Sequence, residues 1–153
     1  MQEEKHYINS IYYQFELTAK YCKYLASQLL KKFECILSLE EVVTLDTIAT
    51  NGEMCQRDLA KIILKDRPST GRILNSLEQK GYIERVAGTK NNRLVRKIIL
   101  TEDGKIILSD ITLKIKEYLQ NIPRAFSTEK IEDMKSLMHG FREILKNEVE
   151  LNI

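Results

Sequence analysis

From His6 to Leu37 apolar and aromatic side chains return every three or four residues, at Ile8, Ile11, Tyr12, Phe15, Ala19, Cys22, Leu25, Leu29, Phe33 and Ile36. That step is the period of one face of an α-helix, so the spacing predicts a single long amphipathic helix over this stretch. A helix of this length carries more apolar stripe than a small domain can cover, and exposed stripes usually mark an interface. The chain of 153 residues, 43% of them apolar and only two of them proline, otherwise suits one compact core. No apolar run approaches the roughly 20 residues that a bilayer needs, and the start, Met1 to His6, lacks the basic-then-apolar pattern of a secretion signal. Cys22, Cys35 and Cys55 are odd in number and form no Cys-x-x-Cys pair. Neither a disulfide framework nor a zinc site is therefore indicated. The expectation is a cytoplasmic protein in a reducing compartment, with no membrane partner, no metal and no cofactor.

After the first helix the punctuation is regular. Ser38 stands three residues before Glu41, the spacing of a capping box, and Val42, Val43, Leu45, Ile48 and Ala49 lead to a stop at Asn51-Gly52. Arg57 to Leu64 reads as a third helix with Leu59, Ala60 and Ile63 inward. Asp66 is placed to cap a fourth, from about Arg67 to Lys80, in which Pro68 is tolerated because a first-turn N–H has no intrahelical partner. Its inner face is Ile73, Leu74 and Leu77, its stop is Gly81, and Ser69, Arg72, Asn75, Ser76 and Gln79 fall on the other side. Tyr82 to Val86 and Arg93 to Leu100 are rich in β-formers around a turn-like Ala87 to Asn92, a hairpin whose tip is basic and holds no acid. Thr101 then caps a helix that opens on Glu102 and Asp103 and continues through Ile106, Ile107, Ile111, Ile115, Tyr118 and Leu119. After Pro123 a last helix begins near Ser127 or Thr128 and carries Ile131, Met134, Leu137, Met138, Phe141, Ile144 and Leu145.

The net charge of +2 conceals an uneven distribution. Cys55 to Lys105 holds 12 Lys/Arg against 6 Asp/Glu, while the rest of the chain holds 12 against 16. A basic centre between acidic flanks suits a polyanion-binding module carried on something else; a solvated charged surface is the plainer reading. Two short helices joined by a tight turn, the second bearing Arg on its outer face, followed by a basic hairpin, form a winged helix-turn-helix. Such a helix fits the major groove, where Arg can pair with guanine, Asn with adenine, and Ser or Thr with phosphates or base edges. Lys90 and Arg93 at the tip suit the neighbouring minor groove, whose negative potential favours cations.

The stretch Leu59-Ala60, then Arg67 to Arg85 with its Leu77-Glu78-Gln79-Lys80-Gly81, closed by Leu100-Thr101-Glu102-Asp103-Gly104, resembles the MarR family of bacterial transcription regulators. The resemblance spans nearly the whole chain in element order and roughly 39–105 in motif. It implies a fold that is mainly α with a small β-hairpin wing, a winged helix-turn-helix with long terminal dimerisation helices. Residues 1–153 would form a single domain, 39–101 being the DNA-binding part and 1–37 and 102–153 the helical dimerisation part. It further implies a homodimer on double-stranded DNA, leaning toward repression, with Ser69, Thr70 and Arg72 entering the DNA and Arg93 touching it from the wing. Arg67, Asn75, Ser76, Lys90 and Asn92 complete the candidate contacts. The chain departs from the family pattern twice: its wing reads Asn91-Asn92-Arg93 without the usual Asp, and Cys55 stands where Ser or Thr usually precedes the third helix.

Several residues admit two readings. Gly71 inside a helix costs about 1 kcal/mol relative to Ala, which reflects close packing, approach to DNA or mere tolerance, packing being the favoured reading. Tyr7, Tyr12, Tyr13, Tyr21 and Tyr24 crowd the first helix. The resemblance suggests a small aromatic ligand between that helix, the second and the fifth, and a tyrosine-lined dimer interface explains them equally. Cys55, at a helix start beside Arg57, and Cys22, among tyrosines, are candidate redox sensors or idle thiols. His6 and His139 lie at opposite ends of the chain and no Gly-rich phosphate loop occurs, so no enzymatic site is expected. The rival from another class is a winged-helix module that binds protein instead of DNA, which would need neither the basic tip nor an outward Arg72.

Overall fold

A computed structural model describes residues 6–120 and 126–150; Met1 to Lys5 and Pro123, which enter the sequence reading, lie outside the described residues. A 3-10 turn at Tyr7–Asn9 leads into α1 (Ile11–Lys32), α2 (Leu39–Asn51), β1 (Met54–Cys55), α3 (Gln56–Ile62), α4 (Arg67–Gln79), β2 (Ile83–Lys90), β3 (Arg93–Leu100), α5 (Glu102–Gln120) and α6 (Thr128–Glu148). The strands form one antiparallel sheet in the order β1-β3-β2. The architecture is a mainly helical winged helix-turn-helix with long helices at either end.

The first helix is shorter than its apolar period implied. Ser10 starts it, accepting the Tyr13 N–H at 3.3 Å and donating its hydroxyl to Tyr7 O at 2.6 Å, so the preceding turn is set off as a separate element. At the other end Glu34 adopts a left-handed φ of 51°, and the N–H groups of Glu34 and Cys35 reach back to Lys31 O and Leu30 O. This is a Schellman closure built without the glycine that ordinarily advertises it, which is why the apolar spacing ran on to Leu37. α2 follows its signals: Ser38 and Glu41 form the reciprocal capping box, and Gly52 ends the helix with φ 77°.

The hairpin is also longer than expected. β2 continues through Ala87 to Lys90, and the turn is Asn91-Asn92 alone, with Lys90 opposite Arg93. Both asparagines have positive φ, 50° and 57°, as a two-residue hairpin turn requires. Gly88, which reads as a breaker, sits within the strand beneath the aliphatic chain of Lys97; an added Cβ would meet that chain at 2.8 Å. β1 is too short to leave a sequence pattern, two residues pairing with Ile98 and Lys97.

Leu45, Leu59, Leu74, Leu77, Ile83, Ile98 and Ile111 are the largest apolar side chains buried completely, and they belong to the winged part and the first turns of α5. α1 buries only Leu29 and Leu30, at its end, and α6 buries nothing. Within one chain the early part of α1 meets α6 through aromatic rings, Phe15 stacking on Phe141 at 4.9 Å with Tyr12 tilted beside it at 5.7 Å.

The two sequence motifs meet in space. Gly81, with φ 77°, closes α4, and Tyr82 N–H reaches back to Leu77 O. The hairpin returns the chain to that corner, where Thr101 donates its N–H to Tyr82 O at 3.1 Å and its hydroxyl to Gly81 O at 2.7 Å. Thr101 Oγ1 also accepts the Gly104 N–H at 3.0 Å, capping α5. A Cβ on Gly104 would lie 2.1 Å from Tyr82 O, so only glycine permits this approach of helix to turn.

Candidate nucleic-acid interface

Asp66 organises the start of α4. Its Oδ1 accepts the Ser69 N–H at 2.7 Å and its Oδ2 the Ser69 hydroxyl at 2.9 Å. These two hydrogen bonds, the backbone one first, hold its carboxyl below the usual carboxylate range. Ser69 Oγ in turn accepts Arg72 Nη2 at 2.8 Å, so the exposed guanidinium is steadied along the outer face of the helix. Asn75 is exposed on that face and accepts Arg85 Nη2, from β2, at 2.7 Å. Arg67 is exposed in the first turn, and its carbonyl accepts Gln56 Nε2 at 3.0 Å.

Two of the expected contacts sit differently. Thr70 is 0% exposed and its hydroxyl donates to Asp66 O at 2.9 Å. It turns inward with Ile73 and Leu77, three and seven positions on, and cannot reach a duplex in this conformation. Ser76 is half-buried and donates to Glu41 Oε1 at 2.7 Å. Gly71 follows its packing reading, since an added Cβ would meet Gln56 Nε2 of α3 at 3.2 Å.

Glu41 is the main polar group beneath α4, only 5% exposed. Besides closing the capping box of α2 it receives Lys80 Nζ at 2.7 and 2.8 Å on its two oxygens. Burial alone would raise its carboxyl, but the hydrogen bonds from Lys80, Ser76 and the Ser38 N–H outweigh it and hold the group below its ordinary value. The capping role was legible from the spacing; the bonds to α4, which span 35 and 39 residues, were not.

On the wing, Asn92 and Arg93 are exposed at the tip, while Lys90 pairs with Asp58 of α3. Asp58 Oδ2 also accepts the Cys55 thiol at 3.1 Å. The Lys90 hydrogen bond, then that of Cys55, lowers the Asp58 carboxyl, and Asp58 raises Lys90. Cys55 offers α3 no side-chain cap, in keeping with its poor suitability there. A cleft of 740 Å³ opens between α3 and the wing, with Arg57, Asp58, Lys61, Lys90, Arg93 and Arg96 among its walls. Arg57, Lys61 and Arg96 were missed as candidates, although the first two stand four apart on α3 and so share a face. Cys22 is exposed on α1, away from these groups in sequence, and Cys35 is half-buried. Among the described residues no group of three or more His, Cys, Asp or Glu is placed to hold a metal, and no helix is long and apolar enough to cross a membrane.

The family model that matches the chain is that of the MarR family, over residues 37–95, from the end of the α1–α2 loop into β3. An uncharacterized HTH-type transcriptional regulator of Bacillus subtilis, YybA, is 25% identical over 103 residues, 67% of this chain and 68% of that protein. The Staphylococcus aureus MepR–DNA complex superposes with a TM-score of 0.72 at 25% identity, covering 92% of this chain and 99% of that one. A point mutant of Escherichia coli MarR complexed with operator DNA gives a TM-score of 0.74 over 88% and 94% of the two chains, at 17% identity a likeness of fold alone. With the helix-turn-helix, the wing and the Gly81–Gly104 corner in place, the chain carries a MarR-family match over its winged part and shares the winged helix-turn-helix fold of MepR and MarR.

Proposed function

We propose that the protein is a sequence-specific, double-stranded DNA-binding repressor that acts as a cytoplasmic homodimer on an inverted-repeat operator. The observation that carries this reading is α4, which presents Arg72 outward, steadied by Ser69, beside a wing whose exposed tip is Asn92-Arg93. MepR, of like fold and 25% identical, has been solved with DNA. Arg72 is the side chain best suited to reading guanine, while Arg67 and Ser69 in the first turn, and Arg93 on the wing, suit phosphates or the minor groove. Asn75 and Ser76 are secondary, because Arg85 and Glu41 already engage them.

The terminal helices supply the second subunit's seat, and the tyrosines belong to it. In one chain Leu137 of α6 is 74% exposed, and Tyr21 and Tyr24, three apart on α1, are 70% and 69% exposed. Side chains turned outward in this way suit an interface between copies better than a ligand cavity within one. A two-fold axis through such an interface sets the two α4 helices about 34 Å apart, one turn of duplex, so half-site centres should lie about 10 base pairs apart.

Selection from a random duplex pool, followed by titration, tests the reading. The recovered site should be an inverted repeat, and Arg72→Ala should weaken it by about 1–3 kcal/mol, roughly 5- to 150-fold, while hardly changing binding to random duplex. A single unrepeated half-site would defeat the dimer, and equal weakening on both duplexes would reduce Arg72 to a phosphate contact. Release by oxidation is assigned to Cys55, whose thiol borders the basic cleft. Peroxide converts the thiol to a sulfenic acid and is itself reduced to water, so it should free DNA from the wild type and from Cys22→Ser but not from Cys55→Ser. An equal response of all three would remove Cys55 from this role.

A further inference from the structure

We propose that the cleft between α3 and the wing seats adjacent backbone phosphates of duplex DNA, and that Asp58 is a built-in counterion that partly fills it. The inference rests on the DNA-binding reading above, which already places the wing tip on DNA, and adds to it the cations of α3 and the part played by Asp58. Five cations, Arg57, Lys61, Lys90, Arg93 and Arg96, stand around a cleft of 740 Å³ with one carboxylate, that of Asp58, among them. Arg57, Lys61 and Arg96 are exposed, and no acid lies at the wing tip to offset them.

The placement of Asp58 decides the character of the site. Its Oδ2 is engaged at once by Lys90 Nζ from the wing and by the Cys55 thiol from the start of α3. A carboxylate between a wing lysine and a helix is a small tethered anion in the place where a phosphate oxygen would be received. Both partners of the pair remain partly open to solvent, Lys90 at 49% and Asp58 at 35% of their side chains, so an incoming phosphate can share or take the ammonium without opening the fold. The pair contributes no net charge, and binding is therefore driven by the other four cations. Asp58 thus weakens non-specific attraction to DNA, leaving a larger share of affinity to the base contacts of α4.

The test uses the full-length protein and measures binding to operator and random duplexes by fluorescence anisotropy between 50 and 200 mM salt, settings at which about 0.9 in the slope of log K against log salt is lost for each phosphate contact removed. The double variant Arg57→Ala/Lys61→Ala should flatten the slope by about 1.8 and weaken both duplexes by similar factors. Asp58→Asn should steepen it by about 0.9 and tighten random duplex by roughly three- to tenfold, because Lys90 is no longer neutralised. An unchanged slope in the double variant overturns the proposal, as does weaker binding by an Asp58→Asn protein that melts like the wild type, since the pair would then serve only to hold the wing. Should Asp58→Asn fail to fold, the double variant, altered only at exposed positions, still decides. If sodium phosphate at fixed ionic strength binds the wild type and not the double variant but leaves duplex bound, the cleft is a site for a small anion and the proposal fails. Absence of any binding to duplex by the wild type at 50 mM salt would instead overturn the DNA-binding reading itself, a result distinguishable from all of these.

Discussion

Replacing Gly104 by Ala adds one methyl group at the point where α5 crosses the end of α4. The new Cβ would stand 2.1 Å from Tyr82 O and 3.0 Å from Tyr82 C, whereas ordinary van der Waals contact begins near 3.4 Å. More than 1 Å of separation must be found. The obstacle is backbone that cannot swing aside as a long side chain would, because Tyr82 O already accepts the Thr101 N–H and the neighbouring Gly81 O the Thr101 hydroxyl. Overpacking of this kind costs up to about 3 kcal/mol, and the better helix propensity of Ala returns about 1 kcal/mol, leaving a net loss near 2 kcal/mol. For a chain of this size that corresponds to a fall in Tm of about 4–8 °C. Gly140→Ala, within α6, is the control: nothing lies within 4 Å of its added Cβ, so it should be neutral or stabilising by up to about 1 kcal/mol. Thermal unfolding followed by circular dichroism on both variants reads the difference. A Gly104→Ala protein that melts with the wild type would refute the argument that this corner requires glycine, and with it the physical account of why the two motifs occur together.

Thr70→Val keeps shape and burial but removes the hydroxyl that bonds to Asp66 O; operator affinity should stay within about twofold of wild type while stability drops by about 1 kcal/mol, and a large loss of affinity at unchanged stability would return Thr70 to the DNA surface. Glu41 is held below its ordinary carboxylate value by Lys80, Ser76 and Ser38 against the opposing effect of burial. A depressed folded-state value means that its contribution is present above the ordinary value of 4.5 and is lost as pH falls through the folded value. Denaturant unfolding should show wild type more stable than Glu41→Gln at pH 7 with the gap narrowing below about pH 4.5; a gap independent of pH would mean that the charge of Glu41 does not matter.

Local chemistry made much of this protein legible in advance. Ser38 with Glu41, Asp66 with Pro68, and Ser127 mark helix starts because side-chain oxygens satisfy backbone N–H groups a few residues away, a reach that lies within the sequence itself. The outward positions of Arg72 and Asn75 followed from helical period alone. The same period sets Thr70 on the inner face, three, four and seven positions before Ile73, Leu74 and Leu77; its expected DNA contact came from the family resemblance, and the structure buries it. The ends of α1 and α3 were hidden, since Glu34 and Leu64 take left-handed φ angles of 51° and 53° that their side chains disfavour and surrounding structure must enforce. Above all, the pairing of Lys90 with Asp58, of Glu41 with Lys80, and of Gly104 with Tyr82 joins residues that share no local pattern. Periodicity reports which face of an element is apolar; which charge on that face meets which, and how closely two backbones pass, is set by the tertiary arrangement, where long-range contacts and excluded volume act together.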